Sequence, residues 1–155
     1  MGSAYSRREF LIRGAAAAAA AAALPSLLGA KAAIPMVVYK DPGCGCCNTW
    51  VGLMRSAGFE VAARDTPDMQ SIKRRYQVPG ALASCHTALV GGYVVEGHVA
   101  ADLITRLLKE KPKVLGLAVP GMPAGSPGME MGSRRDAYDV LTFDAAGKSA
   151  VFAKR

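Results

Sequence analysis

Three of the chain's four cysteines fall within four positions, in the stretch Tyr39-Lys40-Asp41-Pro42-Gly43-Cys44-Gly45-Cys46-Cys47-Asn48-Thr49. Thiolates are the side chains that take soft metals (Cu(I), zinc, iron–sulfur clusters) and that exchange disulfides. Cys44-x-x-Cys47 has the spacing of a dithiol/disulfide couple. Cys46 departs from that pattern. A third thiol beside a redox pair would trap mixed disulfides, so it makes more sense as a third soft ligand. Cys46 and Cys47 are adjacent, with Cα atoms about 3.8 Å apart, below the usual disulfide range. Structural zinc usually shows two separated ligand pairs, and here there is one C-x-x-C.

The elements that must position these thiols follow from periodicity. Ile34 to Tyr39 is an apolar run that reads as a short buried strand. Trp50, Leu53, Met54 and Ala57 recur at helical spacing after the thiols, and Ala57-Gly58 is a C-cap signal. The thiols therefore lie on a strand-to-helix turn, where unpaired N–H groups and the positive end of the dipole favour thiolate. Phe59 to Ala63 reads as a second strand. Thr66 as N-cap, Pro67 at the first position and Asp68 in the first turn open a helix to about Tyr76. Ser84 to Val90 and Tyr93 to Glu96 are strands joined by the hairpin turn Gly91-Gly92. A helix runs from about Ala101 to Lys111 with Leu103, Ile104, Leu107 and Leu108 as its stripe, and Pro112 stops it. From Lys113 the character changes to a loop rich in Gly, Pro and Met, then a hairpin from Tyr138 to Phe143 and Lys148 to Phe152. The order β-α-β-α-β-β-α, with a cysteine turn after the first strand, predicts an α/β fold of modified thioredoxin-like type. The Met/Gly/Pro-rich loop and C-terminal β-hairpin, 113–155, are its extension.

In thioredoxin-like folds the start of the third strand faces the cysteine turn. Thioredoxins place a cis-proline there; this chain has Cys85-His86. Cys85 reads either as a fourth thiolate or as a buried core cysteine. His86 is its neighbour or a surface residue, since adjacent strand residues point to opposite faces. His98, after Gly97 and before a helix, is a further ligand or a cap. Met122, Met129 and Met131 are thioether donors suited to Cu(I). Met36 and Met54 read as core, Met69 as helix surface or core edge, and Trp50 as core packing with a shielding role second.

The first 32 residues do not read as part of the domain. Ser6-Arg7-Arg8-Glu9-Phe10-Leu11 is a twin-arginine export signal. An apolar stretch from Ala15 to Leu28 and the cleavage signature Ala30-Lys31-Ala32 follow. That stretch contains Pro25 and falls short of the ~20 residues of a spanning helix. The reading is a signal peptide over 1–32 and a periplasmic domain over 33–155, with no membrane attachment after cleavage. The destination is oxidising, so a tight thiol cluster points to a metal or redox site rather than to staples. The formal charge is +7. The first 32 residues hold Arg7, Arg8, Arg13 and Lys31 against Glu9, leaving +4 scattered over the domain. Lys73-Arg74-Arg75 is the one basic run and reads as a solvated helix face. Without an aromatic-basic platform, nucleic acid is not an expected partner.

Four motifs in order, Tyr39-Lys40-Asp41-Pro42-Gly43-Cys44-Gly45-Cys46-Cys47, Ser84-Cys85-His86-Thr87, Gly97-His98-Val99 and Gly121-Met122-Pro123…Gly125-Ser126-Pro127-Gly128-Met129-Glu130, resemble those of the CopG-like copper-resistance proteins. The resemblance implies copper binding at the cysteine turn and a role in periplasmic copper handling, with copper ions and other periplasmic copper-handling proteins as partners. It carries Cys44, Cys46, Cys47 and Cys85 as expected thiolate ligands, and His86, His98, Met122 and Met129 as assisting neighbours. The leading reading is a Cu(I)-selective binding protein with copper-linked redox chemistry. A thiol-disulfide oxidoreductase would need only Cys44 and Cys47. An iron–sulfur electron carrier would use the four cysteines for a [2Fe–2S] cluster.

Overall fold

The computed structural model describes residues 32–130 and 132–155. The signal-peptide reading of 1–32 and the thioether of Met131 lie outside the described residues, apart from Ala32. The unit Ala33–Arg155 is built on one sheet.

Strand β1 (Ile34–Lys40) buries alternate residues, Met36, Val38 and Lys40, on one face, and leads into helix α1 (Gly45–Ser56). Helix α1 presents Cys47, Trp50, Val51 and Met54 to the interior. Strand β2 (Phe59–Asp65) pairs parallel with β1, and helix α2 (Met69–Arg75) follows. A 3-10 turn at Gly80–Leu82 precedes β3 (His86–Val90), which runs antiparallel to β1. Strand β4 (Tyr93–Glu96) returns antiparallel to β3 through Gly91-Gly92. Both glycines have positive φ, 56° and 85°, which a turn matched to the right-handed strand twist requires. Helix α3 (Ala101–Glu110) then buries Leu103, Ile104 and Leu107.

The β-α-β-α-β-β-α order predicted from the sequence is present, and the fold is α/β. The chain then adds what its pattern did not reveal. Leu115 to Pro120 holds a three-residue strand, β5 (Gly116–Ala118), parallel to β4. Strand β5 bridges to the closing hairpin β6 (Asp139–Phe143) and β7 (Ser149–Lys154). The result is one seven-stranded sheet, β2-β1-β3-β4-β5-β6-β7. A strand of three buried residues has no alternation to read.

Two local readings are corrected. The N-cap of α2 is Asp68, whose Oδ1 accepts from the Ser71 amide at 2.9 Å. Thr66 Oγ1 instead accepts from the Asp68 amide at 3.2 Å, making the turn before the helix. Lys73 is not on a solvated face: it is 6% exposed, while Arg74 and Arg75 face solvent. Successive helix residues are rotated by about 100°, so a run of three cannot share one environment.

The core runs through Met36, Val38, Trp50, Met54, Val95, Ile104, Leu107, Leu117 and Val140. Among the described residues no helix is long and apolar enough to cross a membrane.

Candidate metal centre

Local chain geometry presents the first three thiols. Asp41 closes a turn, its carbonyl accepting from the Cys44 amide at 3.1 Å and its carboxylate from the Gly43 amide at 2.8 Å. Cys44 becomes the N-cap of α1 with no side-chain capping bond, and no acidic residue occupies the first turn. The positive end of the helix therefore meets sulfur, not carboxylate. Cys44 and Cys47 form a disulfide, with Cα atoms 5.3 Å apart, and Cys46 Sγ lies 3.5 Å from Cys44 Sγ. Cys47 is fully buried, whereas Cys44 and Cys46 are half-buried.

The segment before β3 brings in the fourth thiol. The sulfurs of Cys44, Cys46, Cys47 and Cys85 all lie within 4.8 Å of one another. Cys85, His86 and His98 form a second group of the same compactness that shares Cys85. Cys85 Sγ is 2.9 Å from His98 Nε2 and 3.3 Å from His86 Nδ1. Although adjacent to Cys85, His86 still reaches it, because Cys85 precedes the strand and is not held to strand alternation.

The two imidazoles are fixed differently. His98 Nδ1 donates to the Pro127 carbonyl at 2.7 Å. A carbonyl only accepts, so Nδ1 carries the proton and the Nε2 lone pair faces Cys85, the arrangement in which a second partner orients a metal-ligating histidine. His86 is fully buried, packed on the Trp50 ring at 4.4 Å between centroids and edge-on to His98 at 5.0 Å. Its Nε2 has no hydrogen-bond partner among the described residues, and a buried polar atom without a partner is rare enough to need a reason. Trp50 is itself pinned, its indole N–H donating to the Val99 carbonyl at 2.9 Å, so it both packs the core and walls the site.

Electrostatics keep both rings neutral. Burial holds His86 well below the usual imidazole value, with His98 and the Lys73 ammonium acting in the same sense. Burial also lowers His98, opposed by the Pro127 hydrogen bond and Glu130. Burial first, then the neighbouring Cys46, pushes the Cys85 thiol up to about 12. A site lined by sulfur and neutral imidazole is chemically suited to a soft cation. The lone pair of His98 Nε2, which faces Cys85, fits such an occupant.

The Met-bearing loop is not a free strap. Ser126 Oγ and N both donate to the Pro123 carbonyl, at 2.7 and 3.1 Å, and the Met129 amide donates to the Ser126 carbonyl at 2.8 Å. Gly128 has φ +84°, and a Cβ there would lie 3.1 Å from both the Cys46 carbonyl and the Trp50 amide nitrogen. The loop backbone thus touches the start of α1. Met129 is half-buried in this loop, and Met122 is 54% exposed beside Gly121, whose carbonyl accepts from the Ser84 hydroxyl. For both methionines the fold places the backbone beside the site.

Residues that sequence reasoning missed are Pro127, which sets the His98 tautomer, Gly128, and the buried pair Lys73 and Glu96. Glu96 left one signal, a carboxylate closing the apolar run Tyr93-Val94-Val95.

Comparison with known proteins follows the same motifs. Residues 82–129, from the approach to Cys85 through Met129, match a family described as "Protein of unknown function, DUF411". Two solved structures titled copper resistance protein CopG are similar over 79% of this chain and 98% of theirs. One is 42% identical with a TM-score of 0.76, the other 43% identical with a TM-score of 0.75. The chain belongs to the CopG-like copper-resistance family. No curated protein matches it. Family membership covers the sheet as well as the thiols, since the alignment extends over nearly the whole of the CopG chains.

Proposed function

We propose that this protein is a periplasmic copper-binding protein of copper resistance, with a modified thioredoxin-like fold. In this reading it holds Cu(I) through Cys44, Cys46, Cys47 and Cys85, with His86 and His98 beside them and Met122 and Met129 assisting. The observation that carries the reading is the convergence of four sulfurs within 4.8 Å. Soft thiolates select Cu(I) over harder ions, and neutral imidazoles offer nitrogen donors that also suit Cu(II). The mixture supports copper-linked redox chemistry at the same place. Twin-arginine export, read from Ser6 to Leu11, accounts for the periplasmic location.

The Cys44–Cys47 disulfide gives this chemistry a definite form. Both sulfurs are committed to one bond, so metal binding by all four cysteines requires an external dithiol, which gives up two electrons and two protons and leaves as a disulfide, to convert the pair to two thiols. Ligation then removes protons from the thiols. Exchange of the pair with an external disulfide, which takes the two electrons and leaves as two thiols, returns the Cys44–Cys47 disulfide and releases metal.

The test is an anaerobic titration of the fully reduced chain with Cu(I) against a chelator of known affinity. Tight binding of at least one Cu(I) per chain, lost in Cys44→Ser, Cys46→Ser or Cys47→Ser, is expected. Weak binding by the wild type would sink the reading.

The disulfide also supports a second reading, a periplasmic thiol-disulfide oxidoreductase. Its C-x-x-C starts a helix with the first cysteine half-buried and the second buried, so an incoming thiol meets Cys44 first. Reduction of a protein disulfide that survives both Cys46→Ser and copper chelation would favour it.

A further inference from the structure

Beside the sulfur cluster lies a buried ionic group that copper ligation does not use. Lys73 on α2 and Glu96 at the end of β4 form an ion pair with side chains 7% and 0% exposed. The Glu96 carboxylate accepts from the Lys73 ammonium, from Thr87 Oγ1 at 2.6 Å and from the Ser84 amide at 2.7 Å. Lys73 Nζ also donates to Thr87 Oγ1 at 3.3 Å.

Stability is a poor reason for such a group. Two charges withdrawn from water give up hydration that their attraction does not reliably repay, and apolar residues of similar volume often do as well or better. Position is a better reason. Ser84 and Cys85 lie outside the β3 ladder, so no strand partner fixes them. The Glu96 carboxylate takes the amide just before Cys85, and the Gly97 amide donates to the His86 carbonyl just after it, at 3.0 Å. Cys85 is bracketed by two consecutive residues of one strand end, and His98 is the next. Lys73 supplies the counter-charge without which a lone carboxylate would not be kept in the interior.

We propose that Glu96, kept in the interior by Lys73, is a positioning residue whose side-chain oxygen clamps the Ser84–Cys85–His86 backbone and so places the Cys85 sulfur against the three cysteines of the turn. The proposal rests on the copper reading, and its test separates the two. Lys73→Met/Glu96→Leu removes both charges and the acceptor for Ser84. Lys73→Met/Glu96→Gln removes the charges but keeps a carbonyl oxygen for that amide. Each is made in the full chain and checked for a cooperative melt.

Losing an outer partner of a metal ligand typically lowers affinity by about 10–100-fold. A fall in Cu(I) affinity of about tenfold or more is therefore expected for Lys73→Met/Glu96→Leu, with recovery toward wild type in Lys73→Met/Glu96→Gln. Wild-type affinity in the Leu variant, or no recovery in the Gln variant, would overturn the clamp.

A second readout uses the reduced, metal-free protein. The Ser84 and Cys85 amide resonances are expected to move in the Leu variant and to return toward their wild-type positions in the Gln variant. Resonances unmoved in the Leu variant overturn the clamp even if the chain binds no copper. A wild type that binds no Cu(I) overturns the copper reading alone. Should the Leu variant not melt cooperatively, the Ser84 amide of Lys73→Met/Glu96→Gln decides: retained near wild type it supports the clamp, and displaced it overturns it.

Discussion

The two imidazoles at the site are held neutral, the form in which a histidine ligates a metal, and this has a consequence for stability. His86 and His98 both sit below the ordinary imidazole value of 6.5, burial being the leading cause for each. The folded chain then binds fewer protons than the unfolded chain as pH falls through 6.5, so their contribution is present above that pH and is lost below it. His98 and Lys73 face His86 and oppose its charging further. The melting midpoint of the reduced, metal-free protein should drop between about pH 7.5 and about pH 5.5, the range in which histidine titrates. The drop should shrink in His86→Gln; a flat profile would contradict the burial argument. Cys85 acts at the other end. Its thiol is pushed up from 9.0 to about 12, so the folded state keeps a proton that the unfolded state loses. Stability should fall as pH rises from about 9, and Cys85→Ser should shrink that alkaline limb, leaving the part due to Tyr76 and Tyr138, which are also raised.

At the scale of elements, the segment 121–130 and the clamp on β3 make the sharpest expectations. Gly128 crosses the start of α1 at positive φ, where a Cβ would press on backbone atoms at 3.1 Å. Gly128→Ala should destabilise by about 1–3 kcal/mol, the usual range for a non-glycine residue forced into such backbone, as measured by chemical denaturation. Because Pro127 is next in the chain and orients His98, the same substitution should weaken copper binding. Lys73→Met alone leaves the Glu96 carboxylate buried without its partner, and losing one member of a buried pair costs about 3–5 kcal/mol. The double replacements should therefore be more stable than this single one. The turn, α1 and α3 were legible in the sequence because their apolar residues repeat at helical spacing. The roles of Lys73 and Gly128 were not, because each depends on what another part of the chain places against it.

For the molecule as a whole, the C-terminal residues 113–155 that read as an extension are part of the core. Leu117, Val119, Val140 and Phe143 are all fully buried, and β5 joins their hairpin to β4. Full burial of such side chains is worth about 1.5–3 kcal/mol each, together comparable with the about 5–15 kcal/mol that holds a whole domain. A chain ending at Pro112 should lose its cooperative melt and bind a hydrophobic dye. A sharp melt in that fragment would return 113–155 to the status of an appendage.

The sequence by itself determined the class of chemistry and the order of the elements. Cys44, Cys46 and Cys47 are neighbours along the chain, and strand and helix periods are local properties, so neither needs a fold to be read. Tertiary structure decided which distant residues complete the site. Cys85 and His98 reach the turn only because β3 lies antiparallel to β1 and β4 returns beside it. Pro127 meets His98 only because the loop is laid over α1. Such contacts join residues tens of positions apart and leave no period in the chain. They arise when the sheet and its buried face fix one arrangement of the backbone.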